Sequence, residues 1–164
     1  MLKFRAWELF AVAVEMEKIG EAFYRTAGEA SSSDDVKKLF HELAIWETQH
    51  QKTFSDMGKH LPEELLQDAS VVDSEELEMY LQTFLDEKVF RKSRSFDAGK
   101  VKKFTPEEAL QAALNIEKDA VVFYATLKGI LPTQKEQEEV ERIVQEEVKH
   151  VQILTSRLLK LEKN

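Results

Sequence analysis

The tetrapeptide Glu47-Thr48-Gln49-His50 returns one hundred positions later as Glu147-Val148-Lys149-His150. In a helix the i,i+3 spacing puts a glutamate and its histidine on one face, one turn apart. That face is otherwise apolar. Around the first copy it reads Val36, Phe40, Leu43, Glu47, His50, Phe54, Met57, and around the second Val140, Ile143, Glu147, His150, Leu154, Leu158, Leu161. A carboxylate and an imidazole inside a core stripe carry a desolvation penalty unless opposite charge meets them. The rest of the chain must supply that charge, either as a buried polar network or as bound cations.

Two further stripes complete the pattern. Residues 5–29 carry a 3.6-residue period through Ala6, Phe10, Ala13, Glu17, Gly20, Tyr24 and Ala27. Residues 106–129 repeat it through Leu110, Ala113, Glu117, Ala120, Tyr124 and Leu127, after a start marked by Thr105, Pro106 and Glu108. Ser31 to Asp35 form the first turn and supply the next N-cap, so the second helix covers about 34–58, fading at Gly58. Thr133 and Glu136 open the last one, at about 134–162. A shorter amphipathic segment is expected at about 74–90, with Asp73 and Glu76 spaced as a capping box. Arg91 to Lys103 is a basic stretch, read as a solvated loop or a docking site for an anionic or protein partner.

Short links make the helices antiparallel within each pair, 1–2 and 3–4. The link between pairs is long and holds its own short helix. The expectation is therefore one all-α domain over residues 1–164, a four-helix bundle whose single long crossover is the mark of a ferritin-like topology. With 43% hydrophobic and 33% charged residues, only five Gly and three Pro, the composition fits a helical globular chain. There is no cysteine, hence no disulfide, no Cys-ligated zinc and no iron–sulfur centre. Glu8, Glu15 and Glu17 interrupt the N-terminus too early for a signal peptide, and no long apolar run suggests a membrane span. A cytoplasmic protein is expected. The net charge of −8 argues against general nucleic-acid binding.

The two halves match at an offset of 100: Glu17 on Glu117, Phe23-Tyr24 on Phe123-Tyr124, Glu47 on Glu147, His50 on His150. In a helical hairpin, residues equidistant from the turn lie at equal depth. Glu17 and Glu47 are equidistant from position 32, and Glu117 and Glu147 from position 132. All four carboxylates then lie at one level, roughly 20 Å from the hairpin ends at 1.5 Å per residue. Four bare carboxylates would repel and raise one another's pKa. Two divalent ions remove the problem, each taking one His, one terminal Glu and a share of two bridging Glu. Glu47 and Glu147, beside the histidines, are the expected bridges, and Glu17 and Glu117 the terminal ligands. Oxygen-rich ligation with one imidazole per metal suits Fe or Mn, with Zn as a substitute.

Tyr24 and Tyr124 lie two turns beyond the terminal glutamates, facing inward. Each could donate its hydroxyl to a ligand carboxylate, act as a local electron and proton source, or simply fill the core. Glu15, Glu21, Asp119 and Glu146, just beside the stripes, are expected in solvent, as are His41 and His60. Trp46 is turned about 100° from Glu47, on a packing or dimer face. Trp7 and Trp46 hint at self-association.

These motifs, from Glu17-Lys18-Ile19-Gly20-Glu21-Ala22-Phe23-Tyr24 through Glu147-Val148-Lys149-His150, resemble the rubrerythrin-type ferritin-like family in its short form lacking rubredoxin. The resemblance covers the whole chain. It implies a pair of iron ions held by Glu17, Glu47, His50, Glu117, Glu147 and His150, and reaction of Fe(II) with hydrogen peroxide or dioxygen. It also implies a homodimer and a separate electron donor such as a rubredoxin-like protein. Relatives that oxidise or store iron make a ferroxidase or iron-handling protein the alternative. Rubrerythrins carry an additional carboxylate where this chain has Ala120, which brings it closer to the six-ligand bacterioferritin-like pattern.

Overall fold

The computed structural model describes residues 5–61, 75–84, 98–131 and 133–161. Its long helices are α1 (Ala6–Ala30), α2 (Asp34–Lys59), α5 (Pro106–Ile130) and α6 (Gln134–Leu161), with the short α3 (Glu75–Phe84) and α4 (Ala98–Val101) between the pairs. The caps are local chemistry. Ser33 Oγ accepts from the Val36 amide at the start of α2. Thr105 and Glu108 exchange hydrogen bonds of 3.2 and 2.8 Å at the start of α5, where Pro106 has no amide to leave unpaired. Thr133 does the same work for α6, accepting from the Glu136 amide at 3.2 Å.

α1 packs along α2 and α5 along α6, while α1 meets α5 and α2 meets α6 between the pairs. The core divides into two apolar clusters. One gathers the N-terminal part of α1, the C-terminal parts of α2 and α5 and the N-terminal part of α6, through Phe10, Phe54, Leu127 and Val140. The other gathers the opposite ends, through Phe23, Phe40, Leu110 and Leu154. α2 and α5 therefore run parallel, which only a crossover travelling the length of the bundle allows. That crossover contributes to both ends: Leu81 and Phe84 of α3 join the first cluster and Val101 of α4 the second. Phe84 stacks on Phe123 with centroids 5.0 Å apart. The bundle thus has a pseudo-twofold axis across its waist, relating α1–α2 to α5–α6. No described helix is long and apolar enough to cross a membrane.

One reading of the sequence changes here. The basic stretch is not loop throughout, since residues 98–101 form α4 with Val101 buried, while 91–97 lie outside the described residues. Of the expected 74–90 helix, 75–84 is helical, and Asp73 with the rest of that segment also lies outside them. α2 ends at Lys59, one residue beyond Gly58. Gly58 lies against α1, and a Cβ there would stand 3.2 Å from Phe10 Cβ. Gly58→Val should therefore cost about 1–3 kcal/mol through overpacking. Gly129→Ala, with nothing within 4 Å of its added methyl, should be neutral or stabilising by up to about 1 kcal/mol. Urea unfolding of the two variants measures the difference.

Candidate metal centre

Between the two apolar clusters lies a layer of polar side chains. Glu17 comes from α1, Glu47 and His50 from α2, Glu117 from α5, and Glu147 and His150 from α6. Each is at most 5% exposed. Small residues make the room: a Cβ on Gly20 would stand 3.2 Å from the Glu47 carboxyl carbon, and Ala120 is its counterpart in the other half.

The ligating atoms form two overlapping groups, each within 4.8 Å: Glu17, Glu47, His50, Glu147, and Glu47, Glu117, Glu147, His150. Glu47 and Glu147 belong to both. Each of the other four belongs to one, so the layer divides into two positions that share a pair of carboxylates. His50 Nδ1 lies 2.8 Å from Glu147 Oε1 and 3.4 Å from Glu17 Oε2. His150 Nδ1 lies 2.8 Å from Glu147 Oε2 and 3.5 Å from Glu117 Oε1. The imidazoles stack across the layer, centroids 6.1 Å apart.

Tyr24 and Tyr124 close the layer from either end, and they do so crosswise. The Tyr24 hydroxyl donates to Glu117 and that of Tyr124 to Glu17. The pseudo-twofold explains this crossing, because α1 and α5 run antiparallel and each tyrosine lies beyond the other helix's glutamate. Both tyrosines are fully buried. Burial and the facing carboxylates raise both phenols well above their usual range, so they stay donors. Tyr24→Phe or Tyr124→Phe should each cost about 1–3 kcal/mol in metal-free protein, because a buried carboxyl oxygen loses its hydrogen-bond partner. Urea unfolding in chelator checks the cost.

Electrostatically the layer is under tension. Burial pushes the Glu47 carboxyl far up, and the Glu17, Glu117 and Glu147 carboxylates push the same way. Glu117 rises to about 8 through burial and the Glu147 charge, against the pull of His150. Glu147 is held low despite its burial, because both histidines face it. Burial alone would lower the imidazoles, but the carboxylates beside Nδ1 outweigh it and raise His50 to about 11 and His150 to about 9. Protons on the histidines thus supply positive charge to the layer. They satisfy it incompletely: Glu17 Oε2, His50 Nδ1 and Glu147 Oε1 are buried and form no hydrogen bond, the 2.8 Å approach of the last two being out of line for one. Converging oxygen and nitrogen donors that protons satisfy poorly are what a pair of divalent cations would satisfy, and the donor set fits the metals that accept carboxylate with one imidazole.

The structure also brings in residues that the helical stripes leave out. Glu146 is not simply solvated: its Oε2 lies 2.8 Å from His50 Nε2, with the side chain 37% exposed. Trp46 faces the His150 ring at a centroid distance of 6.5 Å while remaining 43% exposed. Glu21 accepts from Gln51 and Arg25 at 2.7 and 2.8 Å. Glu15 pairs on the surface with Lys18, and Asp119 is half-buried. His41 and His60 are exposed and take no part in the layer. One signal could have found Glu146. Positions 46 and 146 precede the shared glutamates, and the twofold carries each of them to the histidine of the other half.

No protein-family model and no curated protein matches the chain. Among solved structures it is similar to one from Thermotoga maritima, described provisionally as a ferritin-like diiron-carboxylate protein. The TM-score is 0.70 and the identity 25%, covering 96% of this chain and 97% of that one. Together with the helix order, the likeness makes the architecture an all-α, ferritin-like four-helix bundle with a short helix in its crossover.

Proposed function

We propose that this chain is a di-iron carboxylate protein of the ferritin-like type, in which Fe(II) reacts with hydrogen peroxide or dioxygen, a rubrerythrin-like peroxidase being the first reading. The observation that carries it is the pair of overlapping donor groups sharing Glu47 and Glu147. Glu17 and His50 would hold one iron and Glu117 and His150 the other, with the two shared carboxylates bridging. When bound, the iron pair supplies the two electrons that, with two protons, reduce one peroxide to two waters. The residues do the rest. Buried walls exclude water and keep the local dielectric low. The phenols of Tyr24 and Tyr124 fix Glu117 and Glu17 by donating to them, leaving each carboxylate one oxygen for a metal. Mn or Zn would fit the same donors.

The chain has no cysteine to build a rubredoxin-like centre, so this reading draws its electrons from a donor such as a rubredoxin-like protein. A homodimer would cover some of the exposed Trp7, Ile45, Trp46 and Ile153. A ferroxidase or iron-handling role is the second reading. It is favoured by a cleft of about 640 Å³ between α2 and α6, where Asp56, His60, Glu139 and Glu146 lead inward to His50. Fe(II) would then be substrate as well as cofactor. Stopped-flow absorbance after anaerobic Fe(II) loading separates the two. Faster reoxidation by peroxide than by dioxygen, with ferric iron retained, is the peroxidase outcome. Preference for dioxygen and continued iron uptake beyond the paired site would replace it with the ferroxidase.

A further inference from the structure

The pseudo-twofold that builds the site is broken at one place. Positions 46 and 146 are equivalent, each preceding a shared glutamate and each facing the histidine of the other half. At one of them Glu146 Oε2 meets His50 Nε2 at 2.8 Å. At the other stands Trp46, whose indole faces the His150 ring with an interplanar angle of 57°. Among the described residues no carboxylate reaches His150 Nε2. An indole has a donor and no acceptor, so it cannot take the place of Glu146.

The difference bears directly on ligand chemistry. Both imidazoles turn Nδ1 toward the carboxylate layer. A carboxylate accepting from Nε2–H fixes the tautomer that leaves the Nδ1 lone pair free, holds the ring plane and makes the imidazole a stronger donor. His50 has that support and His150 does not. We propose that Glu146 makes the two metal positions unequal, so that the position of Glu17 and His50 fills first and binds more tightly than that of Glu117 and His150. Glu146 is a positioning residue, acting through His50. The inference rests on the two-metal reading of the site.

The test is Zn(II) titration of the full chain, metal-free at the start and labelled with ¹⁵N-histidine. Ring resonances are assigned with single His→Gln variants, and affinities come from calorimetry. The expected result is a shift of the His50 nitrogens with the first equivalent and of the His150 nitrogens with the second, in two classes about 10–100-fold apart. Glu146→Gln, which keeps the shape and removes the charge, should weaken the tighter class by a similar factor and leave the other unchanged. Trp46→Glu should strengthen the weaker class. Both histidines shifting together, the reverse order, or equal weakening of both classes in Glu146→Gln would overturn the inference while leaving a two-metal site in place. If no Zn(II) binds, the two-metal reading falls and the inference with it.

Discussion

Glu147→Gln is expected to prevent loading of a second metal and to destabilise metal-free protein by about 3–5 kcal/mol. Glu47→Gln should impair loading as badly while changing metal-free stability by less than about 1 kcal/mol. The twofold makes these two glutamates equivalent members of both donor groups, yet their environments differ without metal. Glu147 is the anion on which both protonated histidines rest, 2.8 Å from Nδ1 of each. Its amide replacement takes from two buried cations the carboxylate they share, leaving His50 with Glu17 and Glu146 and His150 with Glu117. Glu47 is pushed up by burial and by three neighbouring carboxylates, which favours its uncharged form, and glutamine is close to an isostere of that form. Urea unfolding in chelator, with metal content of each variant after reconstitution, tests both halves. Equal loss of stability in the two variants would contradict the assignment of charge.

Metal-free protein should lose stability steadily between pH 7 and pH 10, and metal loading should remove that loss. His150 and His50 bind protons more tightly folded than unfolded, with pKa about 9 and 11 against an ordinary 6.5. Their contribution is complete below about pH 6.5 and disappears as pH rises through 9 and then 11. Glu117, at about 8, acts in the same direction, because the unfolded chain gives up that proton near 4.5 while the folded chain retains it. Each such group costs about 1.4 kcal/mol per pH unit over the interval between its two pKa values. Metal ions must displace the same protons, so loading is expected to release up to about four per chain, from His50, His150, Glu47 and Glu117. Tm measured against pH, with and without Zn(II), checks the stability. Calorimetry in buffers of different ionisation enthalpy counts the protons. A metal-free Tm that is flat or rising from pH 7 to 10 would contradict the protonation described.

Much of this is legible in the sequence. The four long helices show because their stripes are long, strongly periodic and bounded by caps such as Thr105-Pro106 and Thr133. The convergence of six polar residues follows from the offset of 100 with the mirrored depth of Glu17 and Glu47. What the stripes hide is anything set by a second helix. Gly58 reads only as the fading end of α2, and nothing in its own helix tells that Phe10 of α1 packs against it. Tyr24 faces inward by period, but only the antiparallel run of α1 and α5 sends its hydroxyl to Glu117. Glu146 and Trp46 lie about 100° off the core stripe and read as surface, although the neighbouring helix brings each to a histidine. Single-helix periodicity carries no information about a side chain in the cleft between two helices.

The most direct test of the paired site is iron content after anaerobic Fe(II) reconstitution and desalting, measured on wild-type protein beside Glu147→Gln. Two irons per chain in the wild type, falling to one or none in the variant, is the expected result. Fewer than two in the wild type, or two that persist in Glu147→Gln, would mean that these carboxylates do not bridge a metal pair.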